Sequence, residues 1–133
     1  MTIVNPRARS VISVFDPECP SRYTLELFTD KWAMLIIVAL KRGARRNGEL
    51  KRAIGNISQK MLTQTLRTLE NNGIVERTVF NTVPPHVEYT LTELGISLNE
   101  PIFALADWAE KHWAEVLAAR SRSQTGEDAA RGE

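Results

Sequence analysis

The segment from residue 57 to residue 77, ISQKMLTQTLRTLENNGIVER, restricts the fold of this chain more than any other stretch. Its second residue, Ser58, is of a type favoured at helix N-caps, and apolar side chains follow at the spacing of one helix face. An Asn-Gly pair then stops the helix, and alternating apolar and polar residues follow. We predict a helix from Gln59 to about Asn71. Its buried face comprises Leu62, Thr65, Leu66 and Leu69.

The opposite face of this helix is polar and almost without acidic side chains. It carries Gln59, Lys60, Thr63, Gln64 and Arg67. In the major groove of DNA, Gln pairs with adenine, Arg or Lys pairs with guanine, and the Thr methyl group meets thymine. The face therefore offers groups suited to base recognition, although many surface helices are also rich in Gln, Thr and Lys.

A shorter helix is predicted just upstream. Asn47 can cap a helix at Gly48–Ile54, and Gly55-Asn56 supplies the turn that follows it. Two short helices joined by a tight turn form a helix-turn-helix.

A hairpin is predicted just downstream. Alternation of apolar and polar residues at 74–80 and 87–91 predicts two strands, joined by a tip from Asn81 to His86. A helix-turn-helix followed directly by such a hairpin is a winged helix.

Apolar helices flank the winged helix on its N-terminal side. A helix from about Ser21 is predicted to point Leu25 and Phe28 inward. A second helix, capped by Thr29 or Asp30, follows it. Its predicted core stripe comprises Trp32, Leu35, Ile36, Ala39 and Leu40.

A further helical segment follows the hairpin, starting at Thr92-Glu93. We expect Pro101 to break or kink it, with the helix continuing from Ile102 to about Ala118. Its large apolar side chains include Leu105, Trp108, Trp113 and Val116. These residues could pack on the chain's own core or form a dimer seam, and we favour the dimer seam.

Together these elements predict an α+β, mostly helical fold. We predict a winged helix-turn-helix with additional N- and C-terminal helices. We divide the chain into an N-terminal arm at 1–18, the winged helix-turn-helix domain with these additional helices at 19–118, and a disordered C-terminal tail at 119–133. The tail is assigned from its small and polar residues.

Charge is distributed unevenly along the chain, although the net charge is only +1. Residues 41–86 carry nine basic and three acidic side chains, a net charge of +6, whereas residues 87–133 have a net charge of −5. The basic excess coincides with the predicted winged helix. It is compatible with a polyanionic partner for this region and, equally, with a solvated surface of mixed charge.

Other function classes find no support in the composition. No apolar run approaches the roughly 18–20 residues needed to cross a bilayer. Because the N-terminus also lacks the pattern of a signal peptide, we expect a cytoplasmic protein with no membrane partner. Cys19 is the only cysteine, and with His86 and His112 it makes no metal-binding pattern. With no phosphate-binding loop or nucleophile elbow either, we predict no cofactor, no metal site and no enzymatic activity.

The winged helix and its charge predict binding to double-stranded DNA. The second helix of the pair would enter the major groove, with Ser58 holding a phosphate at its start. Arg45 and Arg46 precede the first helix, where backbone contacts are expected. The predicted contacts of the wing are Arg77, Asn81 and His86. The alternative is a winged helix that binds only proteins.

Several motifs resemble the HxlR-type family of bacterial transcriptional regulators. They are the Cys-Pro pair at 19–20, DKW at 30–32, NGEL at 47–50, ISQKMLTQTLRTLE at 57–70 and GIVERTVFNTVPPHVEYTLTELG at 73–95. The resemblance covers about residues 19–117. Asn47 stands where the family often has an aromatic residue, which we expect to change a local contact or cap and not the fold.

The resemblance implies a homodimer joined through its first and last helices and bound to a palindromic operator near a target gene. It places the dimer interface at Tyr23, Leu25, Phe28, Leu105, Trp108, Trp113 and Val116. Several family members respond to electrophiles or oxidants, and in these a Cys at the position of Cys19 is the reactive group. Cys19 is therefore a candidate redox sensor, the alternatives being a buried structural Cys and a small-molecule effector bound in an apolar pocket.

Overall fold

The computed structural model describes the backbone of residues 13–131 of the 133-residue chain and the side chains of residues 13–126. Its elements in chain order are α1 (Pro20–Glu26), α2 (Lys31–Leu40), α3 (Asn47–Ile54), α4 (Gln59–Asn71), β1 (Val75–Phe80), β2 (His86–Leu91), α5 (Glu93–Ile96) and α6 (Asn99–Arg131). The predicted class, mostly helical with one small sheet, is confirmed. Most of the predicted arm, residues 1–12, lies outside the described residues.

The chain divides into two compact units, residues 1–98 and residues 99–133. The first unit contains α1 to α5 and the sheet, and the second contains α6. In the part of the chain that the structure describes, no helix combines the length and the apolar content needed to span a membrane.

The core of the first unit lies among α2, α3 and α4. Its buried side chains are Ala33, Ile36, Ile37, Leu40, Leu50, Ile57, Leu62, Thr65, Leu66, Leu69, Ile74 and Val75. The predicted stripe of α2 was partly wrong, because Leu35 is 41% exposed and Trp32 is half-buried while Ala33 and Ile37 are buried. Almost every residue of α2 is apolar, so the spacing alone could not select the buried face. The predicted cap is present, since the Trp32 N–H donates to Asp30 Oδ1 at 3.0 Å.

The helix-turn-helix comprises α3 and α4. The first of these helices begins at Asn47, so the predicted cap at Asn47 was wrong: Arg46 is the N-cap residue, and its N–H donates to Glu49 Oε1 at 3.0 Å. Gly55 ends α3 with a φ of 83°, a conformation that glycine adopts without a steric penalty. The second helix has the predicted limits, and Ser58 Oγ accepts the Met61 N–H at 3.0 Å.

The wing is an antiparallel hairpin of β1 and β2. Its register runs from Val75 opposite Leu91 to Phe80 opposite His86. The segment before α3 extends it, because Arg45 and Tyr89 exchange two backbone hydrogen bonds of 3.0 and 2.8 Å. The wing is thereby joined to the start of the helix-turn-helix.

Helix α5 lies close to the backbone of Ile74, the residue just before β1. Thr92 caps α5, its Oγ1 accepting the Gly95 N–H at 3.0 Å, while the Thr92 N–H donates to the carbonyl oxygen of Ile74 at 3.0 Å. A Cβ atom at Gly95 would overlap the carbonyl oxygen of Ile74. Position 95 therefore requires glycine.

The second unit is the single helix α6. Pro101 lies in the first turn of α6, where the missing N–H of proline removes no helical hydrogen bond. The predicted break at Pro101 was therefore wrong. The helical segment is interrupted at Ser97–Leu98 instead. The helix also continues to Arg131, into the segment that the sequence assigns to a disordered tail. The domain limit at residue 118 and the disorder of that tail stay predictions.

Candidate nucleic-acid interface

The polar face of α4 is open to solvent along its whole length. All five predicted reading residues, Gln59, Lys60, Thr63, Gln64 and Arg67, are exposed. The buried face of the same helix carries the four residues predicted for it. The division into an inner apolar face and an outer polar face thus agrees with the sequence residue by residue.

Two residues on this face contact each other. Gln59 Nε2 donates to Thr63 Oγ1 at 3.1 Å, across one helical turn. The amide keeps its carbonyl oxygen and its second N–H, which are the two groups that Gln uses to pair with adenine. The hydrogen bond therefore restrains the side chain of Gln59 without removing its capacity to recognise a base.

The start of α4 offers donors to an anion. Ser58 is exposed, and its Oγ accepts from Met61, so the hydroxyl hydrogen can still be donated. The N–H groups of the first turn add partial positive charge at the same end. Just before α3, Arg46 is exposed while Arg45 is half-buried and anchored to Tyr89.

Of the three predicted wing contacts, Arg77 and Asn81 are exposed and His86 is half-buried. Both ring nitrogens of His86 have partners within the wing: Nδ1 is 3.1 Å from Thr82 Oγ1, and Nε2 is 3.2 Å from Glu88 Oε2. The His86 ring also stacks on Phe80, with 4.7 Å between ring centroids. His86 thus stabilises the tip of the wing, and contact with DNA would require it to give up a partner.

A cleft of about 370 Å³ separates α4 from the wing. Its lining residues are Thr63, Arg67, Glu70, Arg77 and Tyr89. Glu70 and Tyr89 were not predicted as site residues from the sequence. The hairpin register would have found Tyr89, because Arg77 and Tyr89 lie directly opposite each other and share one face of the sheet.

The candidate sensor Cys19 lies at the N-cap position of α1 and is 7% exposed. Its Sγ is 2.9 Å from Ser21 Oγ. The hydrogen bond from Ser21 lowers the pKa of Cys19 below the ordinary value of a thiol; burial opposes this shift, and nearby backbone N–H groups support it. A lowered pKa raises the fraction of thiolate, which is the nucleophilic form of cysteine.

The residues predicted for a dimer interface are mostly exposed in the single chain. In α1, Tyr23 is 59% and Leu25 is 52% exposed, so the expectation that Leu25 points into the chain's own core was wrong, while Phe28 is half-buried. In α6, Leu105, Trp108, Trp113 and Val116 are 44–62% exposed. Their assignment to an interface stays a prediction.

A shallow apolar cavity of about 230 Å³ lies beside α1 in the first unit. Leu27, Phe28, Leu94 and Leu98 are among its lining residues. As for metals, within the described residues no three His, Cys, Asp or Glu side chains gather closely enough to hold an ion.

Known proteins resemble this chain over most of its length. A family model described as HxlR-like helix-turn-helix matches residues 27–116. The uncharacterized HTH-type transcriptional regulator YtfH of Escherichia coli (strain K12) is 48% identical over 108 residues, which cover 81% of this chain and 86% of that protein. The solved structure of YtfH from Salmonella typhimurium has a TM-score of 0.75 and 45% identity, covering 82% of this chain and 97% of that chain. The redox regulator HypR in its oxidized form has a TM-score of 0.66 and 40% identity, covering 70% of this chain and 96% of that chain.

These matches agree with the helix-turn-helix, the wing and the motifs that carry the resemblance. The model match spans both helices of the pair and the whole hairpin. This chain belongs to the HxlR-like helix-turn-helix family.

Proposed function

We propose that this protein is a transcriptional regulator that binds a specific DNA sequence and has no enzymatic role. The observation that carries the proposal is the polar face of α4, which is exposed, has Glu70 as its one acidic side chain and is supported by a buried apolar face. The relatives named as HTH-type transcriptional regulators support it. The regulator would act in the cytoplasm, where its operator DNA lies.

Within this proposal the polar residues have distinct tasks. Gln59, Lys60, Thr63 and Gln64 contact base edges in the major groove. Backbone contacts come from Ser58, Arg45 and Arg46 at the starts of the two helices and from Arg77, Asn81 and His86 in the wing. Arg67 belongs to the same DNA-binding surface.

We further propose that two copies bind a palindromic operator together. The support is the exposed apolar surface of α1 and α6, since Tyr23, Leu25, Trp108 and Trp113 are each more than half exposed in the single chain. Two symmetric copies would place their reading helices one turn of DNA apart, about 34–36 Å. Trp113→Glu should shift the protein from dimer to monomer in light scattering; a dimer that persists unchanged argues against Trp113 as an interface residue.

The proposed signal is an oxidant or an electrophile that reacts with Cys19. The support is the lowered pKa of the thiol together with the likeness to HypR, which is named as a redox regulator. Diamide should weaken or strengthen operator binding by the wild type and leave Cys19→Ser unaffected. If Cys19→Ser responds to diamide like the wild type, Cys19 is no sensor, and a ligand in the cavity beside α1 becomes the better proposal.

DNase I footprinting on DNA from upstream of the protein's own gene tests the proposed function. We expect two protected half-sites, related by a two-fold axis and centred one helical turn apart. Uniform protection without half-sites would mean that the protein coats DNA without reading it. No protection, even at low salt, would favour the alternative of a winged helix that binds proteins.

A further inference from the structure

The cleft between α4 and the wing brings together positive charge from two different elements. The α4 side contributes Arg67 and the wing contributes Arg77, which lies on β1. Glu70 is the one carboxylate among the lining residues, so the cleft carries a net charge of +1. Two guanidinium groups on opposite walls of a polar cleft form a site for an anion.

Within the described side chains, neither arginine has a protein partner. Among residues 13–126, the structure records no ion pair and no side-chain hydrogen bond for Arg67 or Arg77, and both are exposed. Their guanidinium groups can therefore receive a ligand without first breaking an interaction within the protein.

Tyr89, one of the lining residues of the cleft, is held in place by two neighbouring segments of backbone. Tyr89 pairs with Arg77 across the hairpin, and its backbone also exchanges hydrogen bonds with Arg45. Because Arg77 and Tyr89 are directly opposite in the register, their side chains share the face that lines the cleft. The phenol hydroxyl of Tyr89 adds a neutral donor to the two charged ones.

The groove geometry of B-DNA indicates which part of DNA would enter this cleft. If α4 lies in the major groove and the wing lies beside it over the minor groove, the sugar-phosphate strand that separates the two grooves must run between them. We propose that this cleft binds one backbone phosphate of the operator in each half-site, with Arg67 and Arg77 contacting the same phosphate from opposite sides. This inference rests on the proposed function and deepens it.

The inference assigns Arg67 a different task from its neighbours on α4. Arg67 would position the protein on DNA, whereas Gln59 and Gln64 would read bases. An arginine that contacts only phosphate affects binding to every sequence alike, whereas an arginine that pairs with guanine affects sequence preference.

Ethylation interference on the upstream DNA fragment tests the shared phosphate directly. Ethylation removes the charge of one phosphate at a time, so phosphates that the protein needs appear as sites of interference. The proteins compared are the wild type, Arg67→Ala, Arg77→Ala and, as a control of equal charge change, Arg120→Ala, whose side chain is exposed on α6. Thermal unfolding of each variant, expected to match the wild type, shows that the comparison is between folded proteins.

We expect interference at one phosphate per half-site, the same phosphate for both variants, to weaken in Arg67→Ala and in Arg77→Ala, because one of its two arginine contacts is lost. Interference at that phosphate should keep its full strength in Arg120→Ala. Each cleft variant should bind operator and scrambled DNA about tenfold more weakly, by the same factor, because a charge-assisted contact is lost. The salt dependence should become shallower by about 0.9 in log–log slope for each lost phosphate contact.

Four results would overturn the inference. If the wild type binds its operator but the two variants relieve interference at different phosphates, or if neither variant relieves any, the shared site is rejected and the proposed function stays intact. A loss of preference for the operator in Arg67→Ala alone would mean that Arg67 reads a base. Absence of DNA binding by the wild type would reject the proposed function and this inference together.

Discussion

The N-cap of α4 allows the folding role of a side chain to be separated from its role in DNA binding. Ser58 Oγ accepts the Met61 N–H at 3.0 Å, and removing such a cap costs about 1 kcal/mol. For a chain of 133 residues, this corresponds to a fall in melting temperature of roughly 3–5 °C. Ser58→Ala should therefore be measurably less stable and should also lose one phosphate contact.

The matched variant is Ser58→Asp. Asp caps helices as well as Ser does, so the free energy of unfolding should stay within about 0.5 kcal/mol of the wild type. Its carboxylate would, however, stand where the proposed function places a DNA phosphate, and binding should weaken by about tenfold or more. Thermal unfolding by circular dichroism and DNA titration by fluorescence anisotropy measure the two effects. If Ser58→Asp binds DNA as tightly as the wild type, the start of α4 does not face a phosphate.

Three further predictions concern other parts of the molecule. Gln64→Ala should reduce the preference for upstream over scrambled DNA by about tenfold, because one base contact is lost, while its urea midpoint stays unchanged because Gln64 is exposed. The rate of Cys19 alkylation by iodoacetamide should rise with pH through a midpoint that Ser21 lowers, since the hydrogen bond from Ser21 lowers the pKa of Cys19, and Ser21→Ala should move the midpoint upward; equal midpoints for the two proteins would contradict this. Gly95→Ala should lower the free energy of unfolding by about 1–3 kcal/mol or more, because its Cβ would overlap the Ile74 carbonyl oxygen, and a urea titration that shows no change would refute the reasoning.

Helix α4 shows what the sequence could predict. Its limits at Gln59 and Asn71 and its buried face were all inferred correctly, because a cap residue, a regular apolar spacing and an Asn-Gly stop point to one solution. Every candidate reading residue followed from that assignment. Where several local signals agree, the sequence was sufficient.

Helix α2 shows where the same reasoning failed. In a segment as apolar as KWAMLIIVAL, most positions could be buried, so only the packing of α3 and α4 decides that Ala33 and Ile37 face inward and Leu35 outward. The predicted N-cap of α3 was wrong for a different reason. Asn47 is the better cap by residue type, but Glu49 satisfies the N–H of Arg46 and places the cap one residue earlier.

The cleft beside the wing could not be predicted as a whole from the sequence. Its five lining residues come from α4, β1 and β2, and their proximity depends on the hairpin register and on how the wing lies against α4. Sequence spacing assigned Arg67 to base reading because it shares a face with Gln64. The structure shows in addition that Arg67 lines one cleft with Arg77, which is the basis of its new assignment.

Fluorescence anisotropy of DNA tests the central claim most directly. The protein would be titrated against labelled DNA from upstream of its own gene and against scrambled DNA of equal length, at two salt concentrations. We predict tighter binding to the upstream fragment at both salts, with affinity for each DNA falling as salt rises. Equal affinity for the two fragments, or no binding even at low salt, would contradict a regulator that reads its own upstream sequence through α4.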